Sequence, residues 1–132
     1  MRWLIDKERP ICPQINEQIA ARIALGEFRP AERLASVRDV AVAAGVNPNT
    51  VQKAFESLEA EGLIYSVRGS GWYVADAAET AKKKLEALAG EKIKGLFRDL
   101  QALGYSRGQI ASLVSLQAGE EQQAAAEKEV SR

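Results

Sequence analysis

The sequence predicts a mainly α-helical fold with one small β-hairpin, and three patterns carry that prediction. Apolar residues recur at three- and four-residue spacing along most of the 132 residues. Residues that cap helices precede several of these stretches, and glycines follow them. Two short β-prone segments flank the sequence Arg68-Gly69-Ser70-Gly71 near the middle of the chain.

The first helix is predicted over about residues 13–25. Ile15, Ile19 and Ile23 step by four residues and would share one apolar face. Gly26 follows as a suitable C-cap residue. Before this helix, residues 3–5 are apolar and are expected to form a short extended segment.

Two short helices joined by a tight turn are predicted next. Ser36 is a good N-cap for the first of them, and Gly45 supplies the turn. Asn47 caps the second helix, and Pro48 takes its first position, where a missing N–H costs nothing. This helix should run to Glu61, and the pair matches a helix-turn-helix.

The β-prone segments, residues 63–67 and 72–74, then predict a hairpin in which glycine supplies positive φ angles. A helix, a helix-turn-helix and a hairpin in that order make a winged helix-turn-helix, with the hairpin as the wing. We expect this domain to occupy residues 1–75.

Residues 76–132 predict a helical segment of a different character. An amphipathic helix is expected over about 77–103, and Ser106 with Gln109 forms a capping box for another helix. From Ala118 onward the chain has few large apolar residues, which predicts a frayed helix or a disordered tail. The long helix cannot bury its whole apolar stripe on the helix that follows, so a twofold partner is expected to cover it. The stripe residues assigned to dimerisation are Leu85, Leu88, Ile93, Leu96, Phe97, Leu100 and Leu103.

Composition excludes several function classes. The chain has no histidine and a single cysteine, Cys12, so a Ser-His-Asp or Cys-His site and an imidazole-bound zinc are ruled out. No enzyme, cofactor or metal site is therefore expected. No apolar run has the length of a membrane span and no signal peptide is recognisable, so no membrane partner and a cytoplasmic location are expected.

The polar face at the start of the second short helix is the main candidate site. Asn49, Thr50, Gln52 and Lys53 lie there, away from the apolar stripe, and in a helix-turn-helix this part of the chain enters the major groove. Asn and Gln can pair with adenine, Thr can reach a phosphate or a thymine methyl, and Lys can reach guanine or phosphate. The alternative is a solvated face whose first residues only complete the cap.

Two further positions carry basic residues. Arg38, in the first turn of the preceding helix, could reach a phosphate, or could instead form a surface ion pair with Asp39 or Glu32. Arg68 and Gly69, at the tip of the wing, suit an approach to the minor groove, or form an ordinary hairpin loop. Bulk charge gives no support, because Lys+Arg and Asp+Glu number 18 each.

The run LASVRDVAVAAGVNPNTVQKAFESLEAEGLIYSVRGSGWYV resembles the winged-helix domain of GntR-type transcriptional regulators, a likeness that extends over residues 5–75. Ala31 and Ala35 fill two positions where the family usually has proline and glycine. The resemblance implies DNA contacts from the family's arginine position, its recognition helix and its wing. These positions correspond to Arg38, Asn47, Asn49, Thr50, Lys53, Arg68 and Gly69.

The C-terminal block is similar to the short two-helix tail of the YtrA-type subfamily, which makes a dimer there. The resemblance implies a homodimeric regulator, a repressor, on double-stranded operator DNA with a palindromic sequence. The alternative is a winged-helix module that binds proteins and not DNA, which the zero net charge favours. The sequence does not decide whether a small-molecule effector binds. No cluster of convergent polar groups marks a pocket for one.

Overall fold

The structure, a computed structural model, describes the backbone of residues 2–130 and the side chains of residues 2–121. This part of the chain forms five helices and one two-stranded antiparallel sheet, which confirms the predicted fold class. In chain order the elements are α1 (Ile11–Ala24), α2 (Val37–Ala44), α3 (Pro48–Ala60), β1 (Ile64–Val67), β2 (Gly71–Val74), α4 (Ala78–Ala102) and α5 (Arg107–Val130).

The chain divides into two compact units, Met1–Leu88 and Ala89–Arg132. The first unit therefore includes the start of α4 as well as the region predicted as a winged helix-turn-helix. α5 continues as far as Val130, through the segment that the sequence predicted as a frayed helix or a disordered tail, and residues 131 and 132 lie outside the described part of the chain. No helix among the described residues is both long enough and apolar enough to cross a membrane.

The helix-turn-helix forms where its capping residues predicted it. The Ser36 hydroxyl accepts a hydrogen bond from the Asp39 N–H at 3.1 Å and so caps α2, which ends at Gly45 in a left-handed conformation. Asn47 caps α3 in the same way, and Pro48 stands in the first turn. Local sequence chemistry thus fixes both ends of the turn.

α1 packs mainly on α3, and glutamines on α1 hold the segment before it. Gln18 donates to the Leu4 carbonyl at 2.7 Å and accepts from the Leu4 N–H at 3.1 Å. Gln14 makes the same two bonds with the backbone of Asp6, both at 2.8 Å. Within residues 3–5, expected as an extended segment, Leu4 therefore finds both backbone partners in an amide side chain, and the segment forms no strand.

The core of the first unit lies between α1, α2, α3 and the sheet. Its largest members are fully buried, and Trp72 packs the edge of its indole against the Phe55 ring at 5.5 Å. The buried apolar side chains are Ile15, Ile19, Ala20, Ile23, Ala24, Leu34, Val40, Ala41, Val51, Ala54, Phe55, Leu58, Leu63, Ile64, Val74, Ala77 and Ala81.

The wing pairs Ile64 with Val74 at its base and Val67 with Gly71 near its tip. The loop before α2 runs along the outer side of β2, where Leu34 N–H donates to the Trp72 carbonyl and Val74 N–H to the Glu32 carbonyl, both at 2.9 Å. Because of this pairing, the loop acts as a third strand and orients the wing relative to α2.

The second unit contains the end of α4 and all of α5. The capping box forms as predicted, since Ser106 N–H donates to the Gln109 side chain at 2.8 Å and Gln109 N–H to the Ser106 hydroxyl at 3.2 Å. Arg107 stacks its guanidinium over the Phe97 ring at 4.7 Å. Among the described residues of this unit, Ile110 is the one buried large apolar side chain.

Candidate nucleic-acid interface

The start of α3 is already satisfied by its own cap. The Asn47 side chain accepts from the Asn49 N–H at 2.8 Å, and the Asn47 carbonyl accepts from the Thr50 N–H at 3.0 Å. Pro48 has no N–H to offer. Few backbone donors are left here for a phosphate, so this helix end can contribute chiefly through its side chains.

Those side chains face outward. Asn47, Asn49 and Lys53 are exposed, and Thr50 and Gln52 are half-buried. The Asn49, Thr50 and Lys53 side chains have no hydrogen-bond or ion-pair partner among residues 2–121, whereas Gln52 donates to Glu56 at 3.1 Å. Three of the predicted recognition residues are therefore free to take an external partner, and the fourth must first release a carboxylate.

Arg38 lies in the first turn of α2, on the rim of an open groove of 550 Å³. The groove is bounded by the start of α2, the loop before it and the first residues of β2, Gly71 and Trp72. Arg38 is exposed and forms no ion pair within residues 2–121, so neither Asp39 nor Glu32 engages it. With the unpaired N–H groups of a helix start beside it, this guanidinium can bind a phosphate.

Arg33 is a basic residue of this site that the sequence analysis missed. Its Nη2 donates to the Ser70 carbonyl in the wing turn at 2.6 Å. The Arg33 backbone also forms an antiparallel β-bridge with Tyr73. A Cβ atom built on Gly71 would lie 3.3 Å from the Arg33 Nε, so a larger residue there would require the guanidinium to shift by a few tenths of an ångström. Its signal in the sequence was weak, because a single arginine in a loop does not indicate a partner 37 residues away.

The tip of the wing presents Arg68 and Gly69 to solvent. Gly69 has φ +78°, a conformation that side-chain-bearing residues rarely adopt, as a tight hairpin turn requires. Arg68 has no ion-pair partner within residues 2–121. The tip is thus a cation on a fixed turn.

The aromatic residues of the wing pack on the protein. Trp72 contacts Phe55, and Tyr73 stacks on Tyr65 with ring centroids 5.8 Å apart. The Tyr73 hydroxyl is also hydrogen-bonded to Ser70. These rings stiffen the wing, which leaves Arg68 as its principal group for an external partner.

Comparison with known proteins agrees with this geometry. The family model "Bacterial regulatory proteins, gntR family" matches residues 13–74. The HTH-type transcriptional repressor YtrA of Bacillus subtilis (strain 168) is 36% identical over 96 residues, which are 72% of this chain and 74% of that protein. This chain belongs to the GntR family. It is a YtrA-like member of this family of transcriptional regulators.

Solved structures of GntR regulators resemble this chain as well. A GntR family transcriptional regulator from Listeria monocytogenes superposes with a TM-score of 0.69 at 30% identity, over 84% of this chain and 97% of that one. The DNA-binding domain of AraR, solved in complex with operator ORX1, gives a TM-score of 0.51 at 27% identity, over 57% of this chain and 99% of that one.

Proposed function

We propose that this GntR-family regulator binds double-stranded operator DNA as a homodimer and represses the genes that the operator controls. The observation that carries the proposal is the set of unpaired cations in the first unit. Arg38 beside the groove, Lys53 on α3 and Arg68 at the wing tip have no carboxylate partner within residues 2–121. The recognition residues Asn49 and Thr50 lie one turn before Lys53 on the same helix.

The zero net charge does not argue against DNA, because several other cations are neutralised within the fold. Arg9 pairs with Asp6 at 3.0 Å, Arg22 with Glu27 at 2.6 Å and Lys82 with Glu79 at 3.1 Å. Among the cations without an ion pair in residues 2–121, Arg38, Lys53 and Arg68 lie at positions that a winged helix turns toward a duplex.

The homodimer is supported by the exposed apolar surface of the second unit. Ile93 is 56% exposed and Leu103 72% exposed, and Leu96, Leu113, Val114 and Leu116 are also exposed. A patch of this kind is typical of a protein interface. Leu85 and Leu88, also assigned to dimerisation, are half-buried in the first unit, where Leu85 packs against the core. The interface we propose is therefore centred on Ile93, Leu96, Phe97, Leu100 and Leu103.

A twofold partner would present two copies of α3, and a palindromic operator has the matching symmetry. Repression follows if the operator overlaps the start of transcription, because the bound dimer then excludes the polymerase. The YtrA relative is named a transcriptional repressor, which favours repression over activation for this chain.

The test is a gel shift of the purified full chain on the DNA upstream of its own gene, with a shuffled duplex of the same composition as control. We expect a shift at nanomolar protein for the upstream duplex and at least about a thousandfold weaker binding to the shuffled one. Light scattering on the same sample should give a dimer. A folded dimer that shifts neither duplex at low salt would support the protein-interaction alternative.

A further inference from the structure

A second cavity, of 290 Å³, lies on the first unit beside the groove that holds Arg38. Its floor reaches the core at Ile19, Val40 and Phe55, and its aromatic walls are Trp3 and Phe28. Two carboxylates, Glu32 and Asp39, stand among its lining. A mostly apolar concavity of this size with a few polar groups is the usual form of a small-molecule site.

The Trp3 wall is held in place before any ligand arrives. Leu4, the next residue, is bonded at both its N–H and its carbonyl to Gln18 on α1. On the other side, the Arg2 carbonyl accepts from Arg22 at 3.0 Å. Because its neighbours on both sides are tied to the same helix, little conformational entropy remains to be lost when a ligand packs on the indole.

The charges of the cavity favour a cation. The Asp39 carboxylate has no hydrogen-bond or ion-pair partner within residues 2–121, and Glu32 accepts one long bond, from the Arg29 N–H at 3.4 Å. Arg33 also lines the cavity, but its Nη2 is used by the Ser70 carbonyl of the wing. The cavity lining thus has two carboxylates and one guanidinium, and the guanidinium is hydrogen-bonded to the wing turn.

We propose that this cavity binds a small aromatic ammonium compound. The ring would pack between Trp3 and Phe28 above the apolar floor, and the ammonium group would pair with Asp39. An ammonium group near an indole is also attracted by the negative face of the ring, a cation–π interaction. The proposal does not depend on operator binding, since its test uses no DNA.

The test is a titration of the isotope-labelled full chain followed by nuclear magnetic resonance, with 2-phenylethylamine as the probe. The Trp3 indole N–H signal should move and saturate, with a Kd of about 1 mM for a probe this small. Its neutral analogue 2-phenylethanol should bind at least about fivefold more weakly, and the anion 3-phenylpropionate more weakly still.

Two matched variants locate the ammonium group. Asp39→Asn keeps the shape and the backbone cap of α2, and should weaken 2-phenylethylamine binding at least about tenfold. Asp76→Asn removes the same charge from an exposed position outside the cavity and should leave the affinity unchanged. The dispersion of the amide signals shows that each variant is folded.

Three results would each overturn the proposal. The first is a Trp3 signal that does not move at probe concentrations well above 1 mM. The second is an anionic probe that binds as well as the ammonium. The third is an equal loss of affinity in the two variants.

Discussion

The two units of the chain differ in what they leave unsatisfied. The first unit has a closed core of buried apolar side chains, and the surface proposed to bind DNA is polar, with Asn49, Thr50, Lys53, Arg38 and Arg68. In the second unit the described residues bury one large apolar side chain, Ile110, and leave Ile93, Leu96 and Leu103 exposed.

This difference indicates two kinds of partner. A unit with a complete core and unpaired cations suits a polyanion such as DNA. A unit that buries few of its large apolar side chains suits another apolar surface. If so, the two partners can be removed separately by substitution, one unit at a time.

The largest effect should come from placing a charge in the exposed apolar surface. Ile93→Glu should shift the dimer to monomer by about a hundredfold or more in the dissociation constant, because a carboxylate would have to be buried without a partner. Ile93 is 56% exposed in its own chain, so the monomer should stay folded. Light scattering over a dilution series measures the change.

Ala102→Glu is the matched control, since it adds the same charge at an exposed position on the side of α4 opposite Ile93. It should leave the dimer intact. Equal behaviour of the two variants would remove the assignment of the interface.

Removing a proposed DNA contact should have the next largest effect, and it should weaken DNA binding without changing the dimer. Arg38→Ala and Thr50→Ala should each abolish the specific gel shift, because every dimer loses the contact twice, while light scattering still shows a dimer. Arg9→Ala removes an exposed arginine from the surface pair with Asp6 and should change operator affinity little. A full shift from both site variants would contradict the site.

The salt dependence of binding sharpens the count of phosphate contacts. Arg38, Lys53 and Arg68 in each subunit would make about six contacts in the dimer, so log affinity should fall against log salt concentration with a slope of about −5. Fluorescence anisotropy at several salt concentrations gives the slope. A value near −10, as for a heavily basic repressor, would require phosphate contacts from further cations.

A smaller effect is expected where one residue acts through another. Arg33→Ala removes the hydrogen bond to the Ser70 carbonyl and should loosen the wing, which weakens operator binding by about fivefold and lowers the free energy of unfolding by about 1 kcal/mol. Arg33→Lys should restore part of the stability and little of the orientation, because an ammonium lacks the planar fork. An unchanged wing and affinity in Arg33→Ala would show that the pairing of β2 alone suffices.

The smallest effect concerns stability alone. Ala31 has φ +66°, in the left-handed region where an alanine is strained. Ala31→Gly should therefore stabilise the first unit by about 1 kcal/mol, with no change in operator affinity. Thermal unfolding measures this, and Ala35→Gly, whose φ is not positive, should give no gain. A lower melting temperature for Ala31→Gly would contradict the strain.

The features that the sequence predicted well are those decided by neighbouring residues. Ser36, Asn47 with Pro48, and the Ser106–Gln109 box all cap their helices as expected, because a cap depends on three or four consecutive positions. The hairpin followed from its glycines for the same reason.

The features that the sequence did not predict depend on distant partners. The bond from Arg33 to Ser70 and the hold of Gln18 on Leu4 link positions 37 and 14 residues apart, and neither residue type indicates its partner. The apolar cavity beside α2 is also a product of tertiary packing, since its lining comes from five separate segments. The departure at Ala31 was visible in the sequence, but its positive φ was not.

The carboxylate of Glu61, just after α3, links the end of α3 to both α1 and α4. One oxygen accepts from Asn16 on α1 at 3.4 Å and from Ser57 at 3.3 Å, and the other pairs with Lys84 on α4 at 2.6 Å. The far end of the recognition helix is thereby braced against the base of the helix that leaves the first unit. In the proposed homodimer, a change in how the start of α4 packs would therefore tilt α3, and the distance between the two copies of α3 would depend on this one side chain.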